Sequence, residues 1–316
     1  MIIQGQLNDL ITRTVEKFRR SQEKKRELIQ YLVKNKPNLI KSVWKRKRIK
    51  DCWNVLLFEQ MANWEQKLKS GSFCKYDKFC LACSTRRAIK MIQRFENFIR
   101  ERELTTKHWY YIVLTIKHSS NDKLDQLLSK LTKAKDKLAR NYRNGKRQNQ
   151  RTKSFFSQFD GMVSSIEITK NTNGWHPHIN FLVCSDNEIK IDKNKYRSVG
   201  GKDSNTNDQI IREWKKITGD SYIHNIRKIE ISQDYFSLNG IGEVFKYAVK
   251  FSSLAVDQLA EIVELQQRKK YRFYDTYGIF RRMSNVKNIL KQKYDIKSAK
   301  TFLYVDRSYQ IVNLLG

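Results

Sequence analysis

Two histidines two residues apart, His176 and His178, stand in the run Trp175-His176-Pro177-His178-Ile179-Asn180-Phe181-Leu182-Val183. In a strand, positions two apart share a face. Both imidazoles then point one way, while Pro177, Ile179, Phe181 and Val183 point the other way, into a core. Two neighbouring imidazoles can bind a divalent metal. Pro177 has no N–H, which puts it at a sheet edge or a strand start. The segment before it, Val163-Ser164-Ser165-Ile166-Glu167-Ile168-Thr169, alternates isoleucine with Ser165, Glu167 and Thr169. Asn173-Gly174, between the two segments, is a turn signal. If Thr169 pairs with His176, Glu167 lies opposite His178 on the same face. A carboxylate and two imidazoles leave open positions for substrate oxygens. The bland alternative is a partly exposed strand face with incidental histidines, and the facing glutamate weighs against it.

A second group is Gly242-Glu243-Val244-Phe245-Lys246-Tyr247-Ala248-Val249-Lys250. Helix residues four apart are neighbours, so Glu243 adjoins Tyr247, with Lys250 about one turn further on. A phenol beside a carboxylate and an ammonium offers a nucleophile, a general base and a phosphate anchor. Alone, such spacing usually means surface pairing; its weight comes from the histidine strand. A phenol with an ordinary pKa near 10 also needs a nearby cation to favour the phenolate, and Lys250 is the candidate.

Four of the five cysteines, Cys52, Cys74, Cys80 and Cys83, lie between residues 46 and 104. Four thiolates suit zinc in a closed, structural site. The Cys80-x-x-Cys83 pair is the persuasive part, and Cys52, far upstream, is the weakest member. Unligated buried cysteines are the alternative. Arg86, Arg87, Lys90 and Arg94 follow on a basic helix placed to meet DNA. Cys184, at the end of the histidine strand, reads as a core residue.

The elements that must position these groups follow from periodicity. Residues 8 to about 45 read as basic helices, either a solvated face or a DNA contact. Thr85–Arg102 reads as a helix with Ile89, Ile92, Phe95 and Phe98 on one face. Strands are expected at Trp109–Ile116, Met162–Thr169, Pro177–Cys184 and Tyr222–Ser232. Helices are expected at Asn121–Tyr142, Asp208–Ile217, Glu243–Ser253 and Ala255–Tyr271. In the aromatic C-terminal stretch, Phe273, Tyr277 and Phe280 read as core. The alternation predicts an α+β fold, a mostly antiparallel sheet covered by helices. The expected organisation is a basic helical segment (1–45), a cysteine-rich region (46–104) and a catalytic domain (105–316).

Lys and Arg number 63 against 32 acidic residues, a net charge of +31 spread along all 316 residues. Such self-repulsion is best tolerated by a protein that binds a polyanion, and nucleic acid fits, because each neutralised phosphate releases counterions. A membrane surface fits less well: no amphipathic anchor or lipidation motif is visible. Polar residues among the first ten argue against a secretory signal. The longest apolar runs, such as Val55-Leu56-Leu57-Phe58, are too short to span a bilayer. A cytoplasmic protein with reduced cysteines is expected.

The histidine strand followed by Lys246-Tyr247-Ala248-Val249-Lys250 resembles the plasmid rolling-circle replication initiators of Gram-positive bacteria, in the HUH endonuclease superfamily. Val113-Leu114-Thr115-Ile116 resembles that family's first motif strand, and Ser165-Ile166-Glu167-Ile168-Thr169 the strand before its histidines. Phe79-Cys80-Leu81-Ala82-Cys83-Ser84-Thr85-Arg86-Arg87 resembles its cysteine segment, although Cys80-Leu81-Ala82-Cys83 departs from the usual Cys-Pro-x-Cys. Thr276-Tyr277-Gly278-Ile279-Phe280 resembles a glycine-centred segment near its end. The resemblance runs from about residue 50 to 283.

The resemblance implies an HUH-type sheet and a nicking-joining reaction. Tyr247 would attack single-stranded or hairpin DNA at the plasmid double-strand origin, join the 5′ phosphate and free a 3′ hydroxyl primer. Glu243 sits where relatives carry the glutamate that activates water at termination. Lys246 and the α-helical arginines and lysine, Arg86, Arg87, Lys90 and Arg94, would contact DNA. Glu167, His176 and His178 would hold Mn²⁺ or Mg²⁺, and the four cysteines Zn²⁺. A host helicase and polymerase would be partners in a bacterial cytoplasm. Two rival functions remain: a single-tyrosine transposase of the same superfamily, and a zinc-stabilised DNA-binding protein without catalysis. A conjugative relaxase is disfavoured, because its tyrosine would precede the histidines.

Overall fold

The computed structural model describes residues 23–60, 66–147, 154–191, 206–222, 224–231, 244–245, 254–269, 271–285, 300–305 and 312–313. The chain divides into two compact units: residues 1–87, 251–270 and 290–316 form one, residues 88–250 and 271–289 the other.

In the first unit, α1 (residues 23–35) is followed by a 3₁₀ turn, Pro37–Ile40, and by α2 (Val43–Lys50). Ser42 caps α2 by accepting from the Lys45 N–H, which satisfies one of the free donors at a helix start. The strands β1 (Val55–Gln60) and β2 (Gln66–Gly71) pair antiparallel. The late strands β8 (Lys300–Val305) and β9 (Val312–Asn313) complete a sheet of order β2-β1-β8-β9. The returning helix α6 (Val256–Lys269) is tied to this unit by a Lys36–Glu264 ion pair and by Gln267 Nε2 donating to the Leu39 carbonyl.

The second unit is built on five antiparallel strands in the order β6-β3-β5-β4-β7. These are β3 (His108–Thr115), β4 (Gly161–Asn171), β5 (Gly174–Ser185), β6 (His224–Ile229) and β7 (Tyr274–Gly278). Aromatic and β-branched residues dominate β3, which suits a pleated, buried strand. On one face, Pro177, Ile179, Phe181 and Val183 are buried, as their alternation requires. Helix α4 (Leu124–Gly145) covers this face with Leu124, Leu127, Leu128, Leu131, Leu138 and Tyr142, the stripe of an amphipathic helix. Helix α5 (Thr206–Thr218) joins it: Trp214 Nε1 donates to the Thr115 carbonyl at 2.6 Å, and Asn141 Nδ2 to Glu213. Lys135, 2 % exposed, pairs with Asp275 and donates to the Arg272 carbonyl.

The opposite face changes character along its length. Trp109, Tyr111, Val163 and Leu182 pack with Phe95, Phe98 and Ile99 of α3 (Leu81–Glu101), with Val244 and Phe245, and with Phe280. Further along the same face the inward positions turn polar: Ser165, Asn180, Glu167 and His178. The alternating α and β elements give an α+β fold, as the sequence predicts.

Candidate active site and metal centre

The β4–β5 hairpin sets the histidines. Its register pairs Glu167 with His178, Thr169 with His176 and Ser165 with Asn180. This is the register that the polar alternation and the Asn173-Gly174 turn predict. Asn171 and Gly174 close the hairpin, and Gly174 has φ +94, a conformation glycine adopts without strain. Pro177 lies in the central strand rather than at an outer edge. The ladder from β3 to β5 ends at Thr115↔His178, however, so at Pro177 the strand has a neighbour on one side only, where a missing N–H is tolerated.

Glu167 is 5 % exposed, and both histidines are half-buried. His178 Nε2 lies 3.1 Å from Glu167 Oε2, which also accepts from Asn180 Nδ2 at 3.1 Å. The Thr169 hydroxyl donates to the His176 carbonyl at 3.1 Å. Burial pushes His176 down to about 4, with the neighbouring imidazoles His178 and His118 acting in the same direction and Glu167 against it. A neutral imidazole at neutral pH is the form that donates a lone pair to a metal.

His118 is a site residue that periodicity does not reveal. Its ring centroid is 4.9 Å from that of His176, which in turn is 5.1 Å from His178. It lies beyond the end of β3 in a loop, so strand parity assigns it to no face. The only signal in the sequence is its place three residues past the strand that borders the histidine strand.

The residue types fit a divalent ion by donor chemistry: imidazoles and a carboxylate. In the present side-chain arrangement, though, His178 and Glu167 are bonded to each other. Among the described residues, only the four cysteines bring three or more donor atoms within 4.8 Å of one another. Tyr247, Glu243, Lys246 and Lys250 lie outside the described residues. Val244 and Phe245 beside them are helical and buried. The Phe245 ring is 5.6 Å from that of Tyr274, which pairs with Ser165, two residues from Glu167 on the same face.

Cys52, Cys74, Cys80 and Cys83 form one buried cluster. The pairs Cys52–Cys83, Cys74–Cys83 and Cys52–Cys80 stand 3.5–3.6 Å apart, and all four sulfurs lie within 4.8 Å of one another. A disulfide requires about 2.05 Å, whereas four sulfurs about 2.3 Å from a central zinc are roughly 3.8 Å apart. The observed spacing is close to that tetrahedron. Backbone N–H groups of Cys74, Lys75 and Tyr76 point at Cys52, Cys83 and Cys74 sulfurs. Lys75 has φ +64, which lets the chain wrap around the cluster. Thiol hydrogen bonds, led by that of Cys52, hold Cys74 and Cys83 below the usual thiol value and push Cys80 above it. The buried Lys25 ammonium donates to the Cys52 carbonyl at 2.7 Å and brings positive charge to the site. The cluster could bind a metal such as zinc, and Cys52 is a full member of it.

On α3, the Arg86 guanidinium sits 3.8 Å over the Phe73 ring and Arg87 pairs with Asp77. Lys90 and Arg94 are exposed. Cys184 is fully buried, and Tyr277 and Phe280 are core residues.

Paired imidazoles and a glutamate at one end of an antiparallel sheet, in a strongly basic α+β chain with a four-thiol cluster, define a nucleic-acid protein with provision for metal. The family described as replication protein (Rep_1) matches residues 65–302, more than half of the chain, and the chain belongs to that family. Membership supports the role of plasmid replication initiator, with DNA as partner. No curated protein and no solved structure matches the chain. Among the described residues, no helix is long and apolar enough to cross a membrane.

Proposed function

We propose that this replication initiator acts chemically, as a metal-dependent nicking and joining enzyme with Tyr247 as nucleophile. The observation that carries the reading is the paired Glu167–His178 and Thr169–His176 register, which gathers metal-binding side chains on one sheet face. The contact of Phe245 with Tyr274 supports it, because Phe245 is two residues before Tyr247 and Tyr274 belongs to that same face. Tyr274 itself is a poor rival nucleophile: burial pushes its phenol well above the usual value.

In this reading the Tyr247 oxygen attacks the scissile phosphorus and gives its proton to a base, for which Glu243 is the candidate. The P–O3′ bond breaks, leaving a 5′ phosphotyrosine and, after protonation, a 3′ hydroxyl that primes synthesis. Lys250 stabilises the phenolate or holds a phosphate oxygen. In rejoining, a 3′ hydroxyl attacks the phosphotyrosine and releases Tyr247; alternatively Glu243 activates water at termination. Glu167, His176 and His178 would hold Mn²⁺ or Mg²⁺, which when bound supplies charge to polarise the phosphate oxygens. The cysteine cluster holds structural Zn²⁺, and Arg86, Arg87, Lys90, Arg94 and Lys246 contact DNA. A host helicase unwinds the duplex and a host polymerase extends the primer.

Incubation with labelled single-stranded origin DNA and Mn²⁺, followed by denaturing electrophoresis, tests this. A covalent band that is lost in Tyr247→Phe and without metal is expected. Binding with no cleavage by the wild type would favour the non-catalytic rival.

A further inference from the structure

We propose that α2 and the cysteine loop beside it form a binding surface for single-stranded DNA, with Trp44 as the platform on which an unpaired base stacks. The inference rests on DNA as this initiator's partner and needs neither Tyr247 nor the histidine strand.

Trp44 is the first argument. It is 61 % exposed, whereas Trp53, Trp109, Trp175 and Trp214 are at most 8 % exposed. Val43 beside it is exposed as well. Ile49 is the one buried residue of α2. The helix therefore has no apolar stripe that would draw an indole into a core, and a tryptophan left in water marks a surface with a partner.

The indole heads a row in which rings and cations alternate. The Arg48 guanidinium lies 4.5 Å from the Trp44 ring centroid and 5.7 Å from that of Tyr76. Lys45 Nζ lies 5.1 Å from the Tyr76 centroid and 4.2 Å from that of Phe79. The row thus runs from exposed Trp44 to buried Phe79, next to Cys80. The cysteine loop fixes its middle: the Tyr76 N–H donates to Cys74 Sγ, and the Tyr76 carbonyl accepts from the Cys80 N–H at 2.9 Å. Rings interleaved with cations are the pattern that holds a single strand, bases on the ring faces and phosphates on the charges.

The charge fits the same partner. Six of the ten residues from Lys41 to Lys50 are Lys or Arg, and none is acidic. Lys41, Lys47 and Lys50 are exposed, as are Lys75 and Lys78 of the loop. Cations are favoured at a helix C-terminus, but there the buried Lys25 already donates to the Lys50 and Cys52 carbonyls at 3.2 and 2.7 Å. Arg46 is spent on the Ile40 and Lys41 carbonyls. The loop's carboxylate, Asp77, pairs with Arg87. Burial, with the Lys78 charge adding to it, holds Lys45 below its usual value. Cations crowd here, and a polyanion relieves their repulsion. A duplex fits less well. Its stacked pairs offer no free ring face to an indole, and α2 carries no uncharged polar residue to read base edges.

The test is titration of full-length, zinc-loaded protein with oligo(dT) and with a duplex of equal length, without Mn²⁺, so that no strand is cut. Tryptophan emission and DNA anisotropy are followed. Oligo(dT) should quench the wild-type emission, and most of that quenching should be lost in Trp44→Phe. Trp44→Ala should weaken single-strand binding about tenfold, Trp44→Phe by less than about threefold, and neither should change duplex binding by more than about twofold. Lys47→Ala should reduce the slope of log affinity against log salt for the single strand by about 0.7. Zinc content and melting temperature should be unchanged in all three variants, because Trp44 and Lys47 are exposed. Single-strand affinity and quenching that survive both Trp44 substitutions would overturn the proposal, as would an equal loss on the duplex. A wild type that binds neither form would overturn the DNA-binding reading with it. Failure of the Tyr247 reading is judged separately, by the covalent adduct.

Discussion

Glu167 and His178 face each other across the β4–β5 ladder, and their side chains meet at 3.1 Å. The pair occupies the polar end of a face whose other end is packed with tryptophan, tyrosine and phenylalanine. That gradient explains why reactive groups and core share one sheet surface. The apolar end fixes the strands, and the polar end lies where the β3–β5 ladder stops, at Thr115↔His178.

The burial of His176, reinforced by the neighbouring imidazoles, makes stability depend on pH. His176 falls to about 4 in the folded state, below the 6.5 of a free imidazole. Above 6.5 it is neutral in both states and contributes nothing. Between 6.5 and 4 the unfolded chain takes up a proton that the folded protein refuses, so stability falls as pH falls through this window. Urea denaturation of metal-free protein from neutral pH down to about 5 should show the decline, and His176→Gln should flatten it. An equal slope in the variant would contradict the assignment.

Gly278 should be far more sensitive than Gly219, although both have positive φ. At Gly219 a Cβ meets nothing within 4 Å; at Gly278 it would come 2.1 Å from the Asp160 carbonyl oxygen. Gly219→Ala should cost about 1 kcal/mol, from backbone conformation alone. Gly278→Ala should cost on the order of 3 kcal/mol, because Asp160 is also held by Tyr142 and Ile279. Equal denaturation midpoints would show that the β4–β7 junction yields easily.

The cysteine cluster should bind ~1 zinc ion per chain as purified. Cys52→Ser should lose zinc as fully as Cys80→Ser, since the two sulfurs are 3.5 Å apart. The melting temperature of the zinc-bearing transition should drop on the order of 10 °C. Retention of zinc and melting temperature by Cys52→Ser alone would reduce the site to three thiolates.

Much of the second unit was legible in the sequence because local rules and tertiary structure agree there. The alternation in Ser165–Thr169 and the turn at Asn173-Gly174 leave one register that buries Ile166, Ile168, Ile179 and Phe181 together, and that register fixes Glu167 against His178. His118 was not legible, because its position depends on where a loop is pinned by Ser221, about a hundred residues away in sequence, and on space left by Gly174. The four-stranded sheet was hidden for a similar reason. Val55–Phe58 reads only as a short apolar run, and its partners Phe302–Val305 come from late in the chain. Cys52 looked remote by spacing, yet β1 and β2 form a hairpin that returns the chain to Cys74.

The most direct test of the central claim is the site of covalent attachment. Wild-type protein reacted with single-stranded origin DNA and Mn²⁺ would be digested with nuclease and trypsin, and its peptides analysed by mass spectrometry. The account predicts a nucleotide-bearing phosphotyrosine at Tyr247, absent from Tyr247→Phe. A modification on any other residue, or cleaved DNA with no protein adduct, would contradict it.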